Sequence, residues 1–553
     1  MQRFLLLSLF CLSISLSHSQ SVQIIPKPTS LSVHDGHFVI DSKTKIIAST
    51  EKEKLSAAFL NDYLQSYYGF KLSIRQKGKK GIVIKTVSGK GNEESYTLES
   101  GKKAVVIKGH SDAGTFYGVQ TLIQLLPVTK SQSLSIASVS VTDQPDMKYR
   151  GLHLDVSRHF FPVSFIKKYI DYIALHKMNT FHFHLTDDQG WRIEIKKYPE
   201  LTSVGGWRNG TIIGNFPGSG NDKLRYGGFY TQEDIKDIVK YASDRFVTVI
   251  PEIEMPGHAS AAIAAYPFLS CFPEKSSFQF FMGERNKAAN WAGDTTGKST
   301  MQSFGVYSDI FCAGKESTFE FLQNVLDEVL PLFPSKYVHI GGDEAPKSNW
   351  EKCPNCQKRI RDLNVKTDAH HKAEHYLQSY FIQRIEKYLN AKGKTIIGWD
   401  EILEGGLAPN AIVMSWRGED GGIEAAKLNH EVIMTPNSYM YFDHQQTPKD
   451  DSVTISNNNG YLPIEKVYGW SIVPEKLPAA QRKYVLGGQA NLWTEYIKNP
   501  QKVEYMLFPR IAALSEALWT PRSSRNLEDF KTRLDTQKKR YDLWGVNYFG
   551  KQK

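Results

Sequence analysis

The chain has 553 residues, 41% of them hydrophobic and 23% charged, with a formal net charge of +10. That length exceeds one small domain and leaves room for a large core plus an accessory unit. The apolar and charged fractions are those of a soluble globular protein, and the lysines are spread without a dense basic block or a nucleic-acid motif, which argues against nucleic-acid binding.

The chain opens on MQRFLLLSLFCLSISLSHSQ, with Arg3 ahead of an apolar run and small residues around Ser17 and Ser19. The pattern is that of a signal peptide over 1–20, too short to span a bilayer well, and it predicts an exported protein, periplasmic or extracellular, or lysosomal in a eukaryote. No later segment is long and apolar enough for a membrane span. Residues 21–146 read as a small α/β domain. Strand-like runs lie at Phe38–Ile40, Gly81–Lys85 and Ala104–Ile107, and helical patterns at Glu53–Tyr68 and Ala113–Leu126. Thr142-Asp-Gln-Pro145 reads as a linker.

From 147 to 525 the pattern becomes strand, loop, helix, repeated. Eight short apolar runs occur, at Gly151–Val156, Thr180–Leu185, Val247–Ile253, Tyr337–Ile340, Thr395–Trp399, Ala411–Trp416, Glu431–Thr435 and Val485–Ala490. Near-continuous apolar strands alternating with amphipathic helices predict a parallel sheet closed as a (β/α)8 TIM barrel, with residues 526–553 as a helical extension packed on it. Such a barrel carries its chemistry at the C-terminal ends of the strands. There the chain places Asp155 and Arg158, Asp187 and Asp188, Glu254 and His258, Asp343 and Glu344, Trp399 to Glu401, Trp416, Tyr441 and Asp443, and Trp493 and Glu495. Acids and aromatic faces on one rim, in a chain with 10 Trp and 27 Tyr, fit glycoside hydrolysis, in which an acid protonates the leaving oxygen while a second group stabilises charge at the anomeric carbon. Neighbours in a strand face opposite ways, so Asp343 and Glu344 suit two unequal jobs better than an acid and nucleophile pair.

His339-Ile-Gly-Gly-Asp-Glu344 resembles the signature of the glycoside hydrolase family 20 β-N-acetylhexosaminidases. The resemblance extends over Arg150 to His159, His184 to Trp191, Pro256-Gly-His258, Gly398 to Glu401 and Leu492 to Glu495, and 21–146 resembles the family's non-catalytic α/β domain. It implies a retaining, substrate-assisted exo-hydrolase acting on terminal non-reducing β-linked N-acetylglucosamine, and N-acetylgalactosamine, in an oligosaccharide or glycoconjugate, with no cofactor and no metal. Asp343 would orient the acetamido group and Glu344 would be the general acid and base. Arg158 would hold outer hydroxyls. Trp399, Trp416 and Trp493 would wall the acetamido pocket, and Tyr441 would donate to the acetamido oxygen. Asp443 and Glu495 would bind hydroxyls, and Asp187 with His258 would support Glu344, with Asp188 and Glu254 as nearby competitors. The rivals are a metal-dependent amidohydrolase barrel, suggested by His182-Phe-His184, and a non-catalytic sugar-binding protein.

Beyond the leader the cysteines are Cys271, Cys312, Cys353 and Cys356. In an oxidising compartment the expectation is two disulfides: Cys271 with Cys312 closing a long loop, and Cys353-Pro-Asn-Cys356 as a tight bridge rather than a redox pair or half a zinc site. A zinc site would need a second CxxC pair, which the sequence lacks.

Overall fold

In the computed structural model, residues 22–89, 91–216, 218–280, 296–448 and 460–551 are described. The leader expected at 1–20 and Trp291 of the 259–316 insertion lie outside the described residues.

The N-terminal unit is a seven-stranded mixed sheet in the order Ser30–Asp41, Ser133–Asp143, Tyr96–Gly101, Ala104–Gly109, Gly81–Thr86, Lys45–Ile47, Ser73–Arg75. Helices Glu51–Tyr68 and Asp112–Leu125 pack on it. The first helix starts at a capping box, in which the Thr50 hydroxyl accepts from the Glu53 amide while the Glu53 carboxylate accepts from the Thr50 amide. The sheet holds more strands than the three apolar runs predict. Ser133–Asp143 is one of the additions, and its Ser-rich alternation buries Leu134, Ile136, Val139 and Val141.

The rest of the chain forms the closed barrel expected from the eight apolar runs. Its strands are β1 (Tyr149–Asp155), β2 (Thr180–His184), β3 (Thr248–Met255), β4 (Tyr337–Gly341), β5 (Thr395–Trp399), β6 (Ile412–Ser415), β7 (Val432–Met434) and β8 (Val485–Ala490). Each strand runs parallel to the next, and β8 closes on β1 through Gln489 opposite Gly151. Register aligns Asp155 with His184, His184 with Glu252, and Glu252 with His339, so one layer of polar side chains crosses β1 to β4 just below the C-terminal rim.

The last helix, Leu527–Leu543, is capped by Asn526 and touches both units. Tyr541 shares a 2.9 Å hydrogen bond with His176 on the barrel side. On the N-terminal side, Arg533 donates to the Ile24 carbonyl at 2.9 Å, Arg540 to the Gln23 carbonyl at 2.7 Å, and the Trp544 indole to the Tyr63 hydroxyl at 2.8 Å. At the seam between the units, Arg150 grips Glu94 with two guanidinium nitrogens, at 2.7 and 3.0 Å. Among the described residues, no helix is long and apolar enough to cross a membrane.

The disulfide expectation requires correction. Cys271, Cys312, Cys353 and Cys356 are all free and buried. The two loops that carry them fold together, so the four sulfurs converge on one point, and Cys312 lies 3.7 Å from Cys353 and 3.6 Å from Cys356. A disulfide requires sulfurs about 2.05 Å apart.

Candidate active site

A cavity of about 650 Å³ opens at the C-terminal ends of the barrel strands. Every site residue expected from the sequence lines it except Asp187: Arg158 follows β1, His258 β3, and Asp343 and Glu344 β4. Trp399 ends β5 and Trp416 follows β6, while Tyr441 and Asp443 follow β7, and Trp493 and Glu495 follow β8.

The backbone after β4 explains how adjacent acids share one cavity. Gly341, Gly342 and Glu344 have φ of +69°, +94° and +42°, so the chain leaves strand geometry before the acids and side-chain alternation no longer applies. Glycine at 341 is also a steric need. A Cβ there would fall 1.7 Å from the Glu254 carboxylate oxygen. Glu344 keeps its side chain 41% exposed toward the cavity, against 12% for Asp343.

His258 stands against both acids. Its Nε2 lies 3.7 Å from Asp343 Oδ2 and 3.6 Å from Glu344 Oε2. Its Nδ1 hydrogen-bonds Asp188 Oδ2 at 3.1 Å and lies 3.3 Å from Asp187 Oδ1. Burial disfavours the imidazolium, but Asp187, Asp188 and Glu344 outweigh it and hold the ring well above its usual pKa. The support behind Glu344 therefore runs through both aspartates. Asp187, 1% exposed, is set back from the cavity rather than lining it, and its Oδ2 takes an ion pair from Arg158 Nη2 at 2.8 Å and a hydrogen bond from His184 Nε2 at 3.0 Å. Asp188 is pinned by the Ser260 amide at 2.9 Å and hydroxyl at 2.6 Å.

Asp343 is pushed up to about 7, first by burial and then by the Glu344 and Glu252 charges, with His258 opposing. Behind it Glu254 is raised well above the carboxylate range by burial and by Asp343 and Glu252. One Asp343 oxygen, Oδ1, is buried and meets no hydrogen-bond partner among the described residues. Glu495 is raised to about 7 by burial, against the pull of Arg158.

The aromatic walls are held by acids. Trp399 is 1% exposed and donates its indole N–H to Glu252 at 2.9 Å, and its ring centre lies 5.8 Å from that of Trp493. Trp416 donates to Glu401 at 2.9 Å and lies parallel to Tyr441 within 19°, with centres 6.1 Å apart. Glu401 itself is raised to about 9 by burial and the nearby Asp343 and Asp400. Arg158 stacks over Trp493 at 5.0 Å and is oriented by Gln189, which accepts from its Nε at 3.0 Å.

His182 and His184 face the barrel interior, where packing was expected. His184 uses Nδ1 on Glu252 at 2.5 Å and Nε2 on Asp187. His182 uses Nδ1 on Gln489 at 2.9 Å, with Nε2 at 2.9 Å from Glu252.

The model of the glycosyl hydrolase family 20 catalytic domain matches residues 147–522, and that of the family's domain 2 matches 21–144. The chain belongs to glycosyl hydrolase family 20. It is 47% identical to a β-hexosaminidase of Porphyromonas gingivalis over 96% of its own length, spanning 65% of that relative, and 33% identical to a β-hexosaminidase of Vibrio furnissii over 90% of its length and 76% of the relative's. Among solved structures it is similar to a family 20 exo-β-N-acetylglucosaminidase of Vibrio harveyi in complex with N-acetylglucosamine, at a TM-score of 0.82 and 32% identity, covering 95% of this chain and 78% of that one.

Within this family 20 barrel, sequence reasoning missed Glu252 and Phe304, and it placed Glu401 on the rim without giving it a role. Glu252 had a visible signal, since an acid amid Val249, Ile250 and Ile253 in a strand must be paired inside the barrel. Phe304 had none. It reaches the cavity from the long insertion after β3.

Proposed function

We propose that this chain is an exo-acting β-N-acetylhexosaminidase. It removes terminal, non-reducing β-linked N-acetylglucosamine, and N-acetylgalactosamine, from oligosaccharides or glycoconjugates, with retention and with the substrate's own amide as nucleophile. The observation that carries this reading is the placement of Asp343 and Glu344, consecutive in the chain, on one aromatic-walled cavity.

Glu344, the more exposed acid, gives its proton to the glycosidic oxygen as the bond to the anomeric carbon breaks. The acetamido carbonyl oxygen attacks the same carbon and forms an oxazolinium ion. Asp343 accepts the acetamido N–H and offsets the positive charge of the ring. Water then attacks the anomeric carbon as Glu344 takes its proton, the bond from that carbon to the amide oxygen breaks, and the sugar is released with its configuration kept. Family 20 is one of the recognised exceptions to hydrolysis by two opposed carboxylates. His258 stabilises whichever acid is charged at each stage, from 3.6 to 3.7 Å. Trp399, Trp416 and Trp493 hold the acetamido methyl away from water, Tyr441 donates to its oxygen, and Arg158, Asp443 and Glu495 bind hydroxyls.

The test compares kcat/KM for an aryl N-acetylglucosaminide with that for the matched glucoside, which lacks the amide. Only the first is turned over well, and Asp343→Asn loses about 10²–10³ of its kcat. Equal cleavage of the glucoside, or a sugar ester trapped on a side chain, overturns the scheme. We further propose export directed by residues 1–20. N-terminal sequencing of the mature protein is expected to start near residue 21.

A further inference from the structure

We propose that Cys271, Cys312, Cys353 and Cys356 form a structural zinc site, outside the catalytic machinery, that fastens the insertion after β3 to the loop after β4. The four sulfurs lie within 4.8 Å of one another, and the closest pairs are 3.6 Å (Cys312 and Cys356) and 3.7 Å (Cys271 with Cys356, and Cys312 with Cys353). Four thiolates about 2.3 Å from one zinc ion sit at tetrahedron corners about 3.8 Å apart. The observed edges match that figure and are far from the sulfur–sulfur bond of about 2.05 Å. All four side chains are buried, at 7% exposure for Cys271 and 0% for the others, so the site is closed in the manner of a structural metal.

The chain around the sulfurs is shaped for this. Cys353 and Pro354 open the helix Pro354–Asp362, so Cys356 sits in its first turn, where the helix dipole favours a thiolate. Gly314 packs so close to this turn that a Cβ would meet the Cys356 nitrogen at 2.4 Å. A zinc tetrathiolate carries a net charge of −2, and Lys315, three residues after Cys312, donates to the carbonyl of Ser270, the neighbour of Cys271, at 2.7 Å. A second CxxC motif is unnecessary, because Cys271 and Cys312 arrive singly, brought together by the Ser270 and Phe311 bridge.

The consequence falls on the cavity. The insertion carries Phe304 into the wall, and the loop after β4 carries Glu344. The two are also cross-linked by Asn349 donating to the Ser308 carbonyl at 2.7 Å and Trp350 to the Phe311 carbonyl at 3.0 Å. Zinc entry displaces the thiol protons to solvent and makes that cross-link part of the folding free energy.

The experiment uses the full chain, purified anaerobically without chelator. Inductively coupled plasma mass spectrometry is expected to find a single zinc ion per chain. With the leader and its Cys11 removed, thiol titration is expected to count four cysteines only after denaturation with a chelator present. Cobalt(II) exchanged into the site gives sulfur-to-metal charge-transfer bands in the near ultraviolet. Cys353→Ser with Cys356→Ser loses the metal and lowers Tm by on the order of 5 °C. If that variant fails to fold, the measurements on the unaltered chain decide. Two disulfides, read as a mass deficit of about 4 Da, overturn the proposal. So do four free thiols that take up no zinc when it is supplied to the reduced protein, or iron in the place of zinc.

Discussion

The N-terminal sheet and the barrel solve the same packing problem with opposite materials. Between its strands and helices the sheet buries Ile82, Ile84, Val105, Ile107 and Leu134, all at most 2% exposed, and gains mainly by dispersion and water release. The barrel buries a small apolar cluster of Ile250, Ile397, Ile412 and Ile433, of the kind that usually fills such interiors, and with it His153, His182, His184, Glu252, His339 and Gln489, all at 0%. Glu252 is the hub. His339 lies 2.8 Å from it, His182 2.9 Å and His184 2.5 Å, and Trp399 donates to it. Burial works against this carboxylate, and the three histidines hold it well below its usual pKa. Such a network costs desolvation that an apolar core avoids. Its place one layer beneath Asp343 and Trp399 shows what the barrel gains: fixed walls and a fixed field under the reacting sugar.

Substitutions separate the two materials. The largest effect is expected at the rim. Glu344→Gln lowers kcat/KM by about 10²–10⁴ for poor leaving groups and by much less for activated aryl leaving groups, with Tm unchanged. A flat leaving-group dependence would remove Glu344 as the acid. One layer down, Glu252→Gln removes the partner of three histidines and costs about 3–5 kcal/mol in denaturant unfolding, with activity falling alongside.

A smaller effect is expected in pH dependence. Asp343, at about 7, faces His258, Glu344, Glu252 and Glu254. Protonated His258 favours the Asp343 anion and so lowers its pKa. His258→Asn removes that cation, so the acid limb of kcat/KM moves to higher pH, and a limb that stays or moves down contradicts the coupling. Smallest is Ile107→Val in the N-terminal sheet, costing about 0.5–1.5 kcal/mol with kcat and KM untouched.

The sequence revealed the barrel because buried parallel strands are continuous apolar runs, and it revealed the rim because acids and Trp follow those runs in order. The N-terminal sheet was half hidden. In Ser133–Asp143 the apolar residues are diluted by serine, so only the alternation marks the strand. The pairing of His258 was not legible either, since Asp187 and Asp188 are neighbours in the chain and only the fold shows that one also binds Arg158 while the other is tied to Ser260. The cysteine cluster was illegible for a different reason. Its contacts join residues 41 to 85 positions apart, and no local spacing encodes that.

The helix Leu527–Leu543 sets a timetable for synthesis. Residues 23 and 24 leave the ribosome first among these partners, yet their carbonyls wait for Arg540 and Arg533, and Glu516 waits for Arg533 at 2.5 Å. A chain cut short before that helix has an unfastened leading edge, with a buried carboxylate missing its cation. A helix made late thus closes a surface made early.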